Sequence, residues 1–251
     1  GSEMCIRDRP LNAPSFAVKA GGEINNFKPI DPTRIFPYEE GLKKKLIHGY
    51  YASISYMDKQ LGRVMTEIKN LGLDKNTIIV LWGDHGWHLG DHAMWTKHTN
   101  YEQATRIPLI IKAPEITIGG SVCNQTVETV DLFPTLADLA NLKRKTPTQQ
   151  LDGVSLKPLL IDPTDPLKNH IYHVYIRNGY IGEAIRNKRY RMIRWTHLND
   201  KSNIHYELYD YEKDPLEIVN ISKENQDLIQ EMSKLLNLYP APKRIVKSQK
   251  K

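Results

Sequence analysis

Between Tyr38 and Leu71 the apolar residues Leu42, Leu46, Tyr50, Ile54, Met57, Leu61, Val64, Ile68 and Leu71 recur every three or four positions. That spacing predicts one face of a long amphipathic helix. Gly49 and Gly62 interrupt it and suit the close approach of a neighbour. Asp74-Lys-Asn76 then turns the chain into an unbroken apolar run, Thr77 to Trp82, which reads as a buried strand. A helix packed before such a strand is the α/β pattern. Ile107 to Ile111 predicts a second short buried strand. Asp131 is read as the N-cap of a helix that tolerates Pro134 in its first turn. Residues 10 to 37, rich in proline, asparagine and glycine, read as irregular.

The texture changes after the polar stretch Asn141 to Asp152, whose Pro147 marks it as a linker. Ile171 to Arg177 and Tyr180 to Arg186 flank Asn178-Gly179, a strong hairpin signal. Tyr190 to Trp195 and His205 to Tyr209 read as two more strands, with tyrosines and arginines suited to cross-strand packing. A last helix carries Leu228, Met232 and Leu235 on one face. The expectation is an α/β region over residues 10–145 and an antiparallel-sheet subdomain with a terminal helix over residues 146–251. Residues 1–9 show no period and are set aside as foreign sequence.

Composition narrows the function classes. A chain of 251 residues can bury a substantial core, and none of its apolar runs is long enough to cross a membrane. Its net charge of +6 falls to +1 without Lys243, Arg244, Lys247, Lys250 and Lys251, so the basicity is a tail and does not indicate a nucleic-acid site. Cys5 and Cys123 allow at most one disulfide and suggest no cysteine metal site.

The candidate chemistry lies just after the first strand, in Val80-Leu-Trp-Gly-Asp-His-Gly-Trp-His-Leu-Gly-Asp-His92 and Trp95-Thr-Lys97. Ligands of open α/β sheets sit beyond the carboxyl ends of strands. Asp84 and His85 offer the carboxylate oxygen and imidazole that bind divalent cations. Lys97 offers a mobile positive charge for an anion. Trp87 either lines a substrate subsite or packs as a half-buried aromatic. His88, Asp91 and His92 either hold a ligand from behind by a hydrogen bond or stabilise the loop. His98 and Arg106 are close in sequence, and Arg106 is expected to pair with a carboxylate. Asp58 is expected to bond backbone or a neighbouring element, and His173 offers a weak case for reaching the cleft.

The wording of this loop resembles type I sulfatases of the alkaline phosphatase superfamily, and within them the iduronate-2-sulfatase-like branch. The resemblance continues through Tyr101-Glu-Gln-Ala-Thr-Arg-Ile-Pro-Leu109, Val130-Asp-Leu-Phe-Pro-Thr-Leu136, Leu151-Asp-Gly-Val-Ser-Leu156 and Glu207-Leu-Tyr-Asp-Tyr-Glu-Lys-Asp-Pro215, with Tyr51-Ala-Ser-Ile-Ser-Tyr-Met-Asp58 upstream. It implies a sulfatase-like α/β fold and hydrolysis of a sulfate ester on a sulfated sugar or other small molecule. It implies a divalent metal, calcium or magnesium, on Asp84 and His85, and a sulfate contact from Lys97. It also implies a formylglycine, made from the cysteine of Cys-x-Pro-Ser-Arg, in an N-terminal half whose motifs this sequence does not carry. Cys5 and Arg9 match that signature only by chance, because Arg7 and Asp8 stand where proline and serine belong. The chain therefore reads as the C-terminal portion of a sulfatase, inactive alone. The resemblance suggests a periplasmic, extracellular or lysosome-like compartment. Two other readings remain: a phosphodiesterase or phosphonate hydrolase of the same superfamily, and a metal- or anion-binding chain without turnover.

Overall fold

The computed structural model describes residues 9–18, 22–28, 30, 38–142 and 149–242. Cys5, Pro147 and the five basic residues of the tail lie outside them. The chain packs as two compact units. The first holds residues 19–97 and 103–169, and the second holds residues up to 18, His98–Glu102 and the chain from His170 onward.

In the first unit the predicted long helix is α1 (Glu40–Asn70). Gly72 ends it in the left-handed conformation at φ 67°, which glycine adopts without a Cβ clash, and its N–H donates to the Lys69 carbonyl. Strand β1 (Ile79–Trp82), the short hairpin β2 (His88–Leu89) and β3 (Trp95–Thr96), helix α2 (Glu102–Thr105) and strand β4 (Leu109–Lys112) follow. Strands β1 and β4 pair antiparallel as a two-stranded ribbon. Burial corrects the reading of both as buried strands. Trp82 and Ile110 are exposed, and the pleat places them on opposite faces of the ribbon. The spaces beside Gly49 and Gly62, expected to admit a neighbour, are open. A small core of Ile24, Ile30, Tyr38, Leu42 and Trp95 holds the start of α1 against the hairpin.

Helix α3 (Leu132–Leu139) and the short α4 (Lys157–Ile161) complete this unit. Asp131 precedes α3 as expected, but its carboxylate does not cap it. It accepts from the N–H groups of Glu128 and Val154 at 2.9 Å and from Lys168 Nζ at 2.8 Å. This wholly buried acid ties three stretches of chain together. Gly153 is required there, because a Cβ would lie 2.0 Å from the Val130 carbonyl oxygen.

The second unit is the antiparallel sheet β5 (His170–Arg177), β6 (Tyr180–Asn187), β7 (Tyr190–His197) and β8 (Ile204–Asp210), in sequence order, with α5 (Gln226–Leu236). Asn178 and Gly179 both have positive φ, 46° and 84°, as a two-residue type I′ turn demands. One sheet face places Ile185, Met192 and Leu208 against Ile229, Met232 and Leu236 of α5. The helix is rotated by one position from the expected face, so Leu228 and Leu235 flank the seam while Met232 sits in it. Full burial of each such side chain contributes about 1.5–3 kcal/mol.

The opposite sheet face is polar and closed. Glu207 accepts from Trp195 Nε1 at 2.6 Å, Tyr101 Oη at 2.8 Å and Tyr209 Oη. Arg191 is buried among Glu102, Glu217 at 3.0 Å, Tyr211 Oη at 2.7 Å and the Asn100 carbonyl at 2.8 Å. The arginines expected in cross-strand packing thus hold the segment His98–Glu102 on the sheet; Arg177 donates to the His98 carbonyl. Gly182 makes room for that segment, since a Cβ would meet Asn100 Nδ2 at 2.3 Å. Residues 9–18 join the same unit, with Leu11 bridged to Val219 and Phe16 stacked on Tyr180 at 3.7 Å. No helix among the described residues is long and apolar enough to cross a membrane.

Candidate active site

The loop after β1 is pinned at two points. Gly83 donates to the Pro108 carbonyl at 3.1 Å and Gly86 to the Ala104 carbonyl at 2.8 Å. A Cβ on Gly86 would lie 2.1 Å from the Gln103 carbonyl oxygen, so only glycine permits this approach. Between the pins, Asp84 and His85 stand at the carboxyl end of β1. Asp84 accepts from the His85 N–H at 3.1 Å, and its side chain is 87% exposed.

His85 Nδ1 lies 2.9 Å from the Gly86 carbonyl oxygen, which can only accept, so Nδ1 carries a proton. In the neutral ring Nε2 is then a bare lone pair, and it faces Asp84 Oδ2 at 3.5 Å. Two acceptors then face each other, and either a proton on Nε2 or a metal ion between them satisfies both. Adjacent oxygen or nitrogen ligands of a calcium ion at roughly 2.4 Å stand about 3.4 Å apart when they subtend a right angle. The pair therefore fits a divalent metal as part of its ligand set. Among the described residues, no group of three or more His, Cys, Asp or Glu side chains forms a complete set.

Trp87 connects this pair to Lys97. The half-buried indole lies 6.0 Å from the His85 ring at an interplanar angle of 29°, and 6.3 Å from Tyr50 of α1 at 25°. Phe27 meets it edge-on at 6.4 Å. Lys97 Nζ stands 5.8 Å from the indole centroid and 3.1 Å from Glu23 Oε1. The hairpin β2–β3 returns the chain to this point through a tight turn. Gly90, His92, Ala93 and Thr96 all have positive φ, a costly set of conformations for three residues with side chains. Asp91 supports the turn by accepting from the Leu89 N–H at 3.2 Å. His88 and His92 are buried in the same hairpin.

Other candidates fall elsewhere. Arg106 is exposed, and no carboxylate among the described residues pairs with it; its carbonyl instead crowds Gly86. Asp58 is exposed on α1, and among the described residues no partner for the expected bond is seen. His98 and His173 belong to the second unit. Burial first, then the positive charge of Arg191, pull the His173 imidazole down to about 4. Sequence reasoning missed Glu23, Phe27 and the role of Tyr50. Glu23 and Phe27 lie in the aperiodic stretch, and Tyr50 was absorbed into the apolar stripe of the helix.

Comparison with known proteins gives the family. The family described as Sulfatase matches residues 15–142. The family described as N-sulphoglucosamine sulphohydrolase, C-terminal, matches residues 90–240. The chain belongs to the sulfatase family. A sulfatase of Formosa agariphila is 32% identical over 80% of this chain and 37% of its own length. Iduronate 2-sulfatase of Mus musculus is 37% identical over 42% of this chain and 24% of its own length. A solved structure described as a complex with its substrate D-glucosamine-2-N,6-O-disulfate superposes with a TM-score of 0.67 at 28% identity, covering 75% of this chain and 39% of the other. A phosphonate monoester hydrolase of Agrobacterium radiobacter superposes with a TM-score of 0.66 at 26% identity, covering 75% and 40%. This sulfatase chain thus spans well under half the length of these relatives. The neighbours confirm the expected α/β sulfatase fold, with its small antiparallel sheet toward the C-terminus.

Proposed function

We propose that this chain is the part of a sulfuric ester hydrolase that contacts the metal and the sulfate of a sulfated sugar. The observation that carries the proposal is the convergence of Asp84 Oδ2 and His85 Nε2, linked through the Trp87 ring to Lys97. Asp84 and His85 would hold a divalent metal, calcium before magnesium, together with ligands from the rest of the domain. When bound, that metal polarises sulfate oxygens. Lys97 Nζ donates to the sulfuryl oxygens as the ester bond breaks, a preorganised charge where charge develops. The ammonium leaves Glu23 for the sulfate or is shared between them. The indole face of Trp87 packs against the sugar ring, and Tyr50 fixes its plane. Asp91, His88 and His92 keep the hairpin in the shape that presents Lys97.

On this reading the nucleophile is a formylglycine supplied by the remainder of the domain. This chain alone accordingly shows no turnover. The similarity to the phosphonate monoester hydrolase favours one second reading, the same site acting on a phosphorus ester. The two are separated by joining this chain to the part of the Formosa agariphila sulfatase that lies outside the match, and comparing substrates. We expect faster hydrolysis of an aryl sulfate and of glucosamine 6-sulfate than of a phenyl phosphonate monoester. The reverse order supports the second reading. Turnover of aryl sulfate by the chain alone, lost in Asp84→Ala, contradicts the partial-site account.

A further inference from the structure

Between β5 and β8 the chain carries Arg177, Arg186, Arg189, Arg191 and Arg194. All but the first meet a carboxylate: Arg186 and Arg191 pair with Glu102, Arg189 with Asp210 and Arg194 with Glu183. Arg177, at the end of β5, has no carboxylate partner among the described residues. Yet it is buried, at 6% exposed, whereas Arg186, Arg189 and Arg194 are only half-buried. A buried charge is normally paired, because leaving water without a counter-charge is costly. Burial accordingly pulls the Arg177 guanidinium below its ordinary value, against a smaller opposing effect of Tyr175 and Tyr101.

The donors of Arg177 are under-used as well. A guanidinium offers five N–H groups in a planar fork. One terminal nitrogen donates to the His98 carbonyl. Nε is buried and has no acceptor among the described residues. Holding a backbone carbonyl does not require a charge, since Asn100 holds that of Gly182 with a neutral amide at 3.4 Å. The surroundings are aromatic. The guanidinium carbon lies 5.6 Å from the centroid of the Tyr175 ring, and the His98 ring stands 5.9 Å from that ring at an interplanar angle of 32°. Both rings are half-buried, and all these residues belong to the second unit.

We infer that Arg177 anchors an anion-binding site in the second unit, bounded by the rings of Tyr175 and His98, which takes a sulfate or carboxylate group of a small ligand. Either group presents two oxygens to the edge of a guanidinium, so that two N–H groups donate in parallel. The bound anion supplies the counter-charge that the other arginines find within the chain. The inference goes beyond the proposed hydrolase site. It involves none of Asp84, His85 and Lys97, requires no metal, and survives if those residues prove to have other roles.

The test is anion binding, read without turnover. The full chain is labelled with ¹⁵N, and its arginine Nε–H resonances are followed while sodium sulfate, or in a separate series sodium acetate, replaces chloride at constant ionic strength. We expect a saturable shift of the Arg177 resonance and a rise in melting temperature along the same titration. Variants are compared by melting in a Lys97→Ala background, which removes the proposed sulfate contact. Arg177→Lys keeps the charge and loses the fork. It should weaken binding about tenfold, the scale of one lost charge-assisted hydrogen bond. Arg177→Gln should abolish binding. Tighter binding of sulfate marks a sulfated ligand and tighter binding of acetate a carboxylate one, and either result supports the site. A wild-type Arg177 resonance that does not respond to either anion overturns the inference, whether or not the variants fold. So does a response that Lys97→Ala abolishes.

Discussion

The two units solve the same problem to different degrees. In the second, each face of the sheet has its cover: α5 on one side, and the segment His98–Glu102 with residues 9–18 on the other. Apart from Arg177, its charged groups are consumed internally, as Arg191, Glu102 and Glu217 show. In the first unit, the ribbon exposes Trp82 on one face and Ile110 on the other, and α1 is exposed at every position from Tyr51 to Lys59. Its charged groups at the loop after β1 are directed outward and only partly paired. A sealed unit spends its polar side chains on architecture. An open unit keeps them for a ligand.

The sharpest way to break this contrast is to open the sealed unit. Arg191→Met leaves the buried Glu217 carboxylate without its cation and Glu102 with Arg186 alone. Burial alone would raise the Glu102 carboxyl, but Arg191 and then Arg186 hold it below the ordinary range. We expect a loss of about 3–5 kcal/mol in the denaturation of the sheet, followed by hydrogen exchange of β6–β8. A loss below 1 kcal/mol means the network is not what holds the segment.

Next in size is a paired substitution of two helical methionines. Met232 is 1% exposed and Met57 is 47% exposed. Met232→Ala should cost about 2–5 kcal/mol, and Met57→Ala in the chain alone about 0.5 kcal/mol or less. Equal costs by chemical denaturation would abolish the distinction between the units.

His173 gives the pH dependence. Its folded imidazole titrates near 4, against an ordinary value of 6.5. The contribution of the neutral, half-buried ring is complete above pH 6.5. It is lost as pH falls from there to about 4, because the unfolded chain takes up the proton and the folded chain does not. The loss is of order 3 kcal/mol over this window. His173→Phe should flatten that part of the stability profile in thermal melts, and an unchanged slope would reject the assignment.

The smallest effect concerns Glu23. Glu23→Gln leaves Lys97 without its ion partner, and this half-exposed pair contributes about 1 kcal/mol or less to stability. Little change in the melt is expected. A loss of several kcal/mol would make Glu23–Lys97 a structural pair and weaken the case for a mobile lysine.

Local rules made the second unit legible before its structure. Asn178-Gly179 fixed the hairpin to the residue, and the runs on either side of it were read as its strands. The helix face was displaced by one position, because Ile229 and Leu228 satisfy the same period and only packing chooses between them. In the first unit periodicity found α1 but overstated its burial. The stripe Ile54–Met57–Val64 is exposed, and periodicity alone does not distinguish a covered apolar face from an open one. The candidate loop was legible through its glycines and its family wording. Glu23 and Phe27 were not, since they meet Lys97 and Trp87 from far away in the sequence with no local signal.

The central claim, that Asp84, His85 and Lys97 serve one sulfate ester and its metal, is tested most directly by aryl sulfate kinetics of the restored domain across a calcium titration. Lys97→Ala should lower the rate roughly 10²–10³-fold at every calcium concentration, with an unchanged melt. Asp84→Ala should lower it further at low calcium and recover in part as calcium rises, because the lost group is a metal ligand. Full activity of folded Lys97→Ala, or calcium rescue of Lys97→Ala but not of Asp84→Ala, would contradict the account.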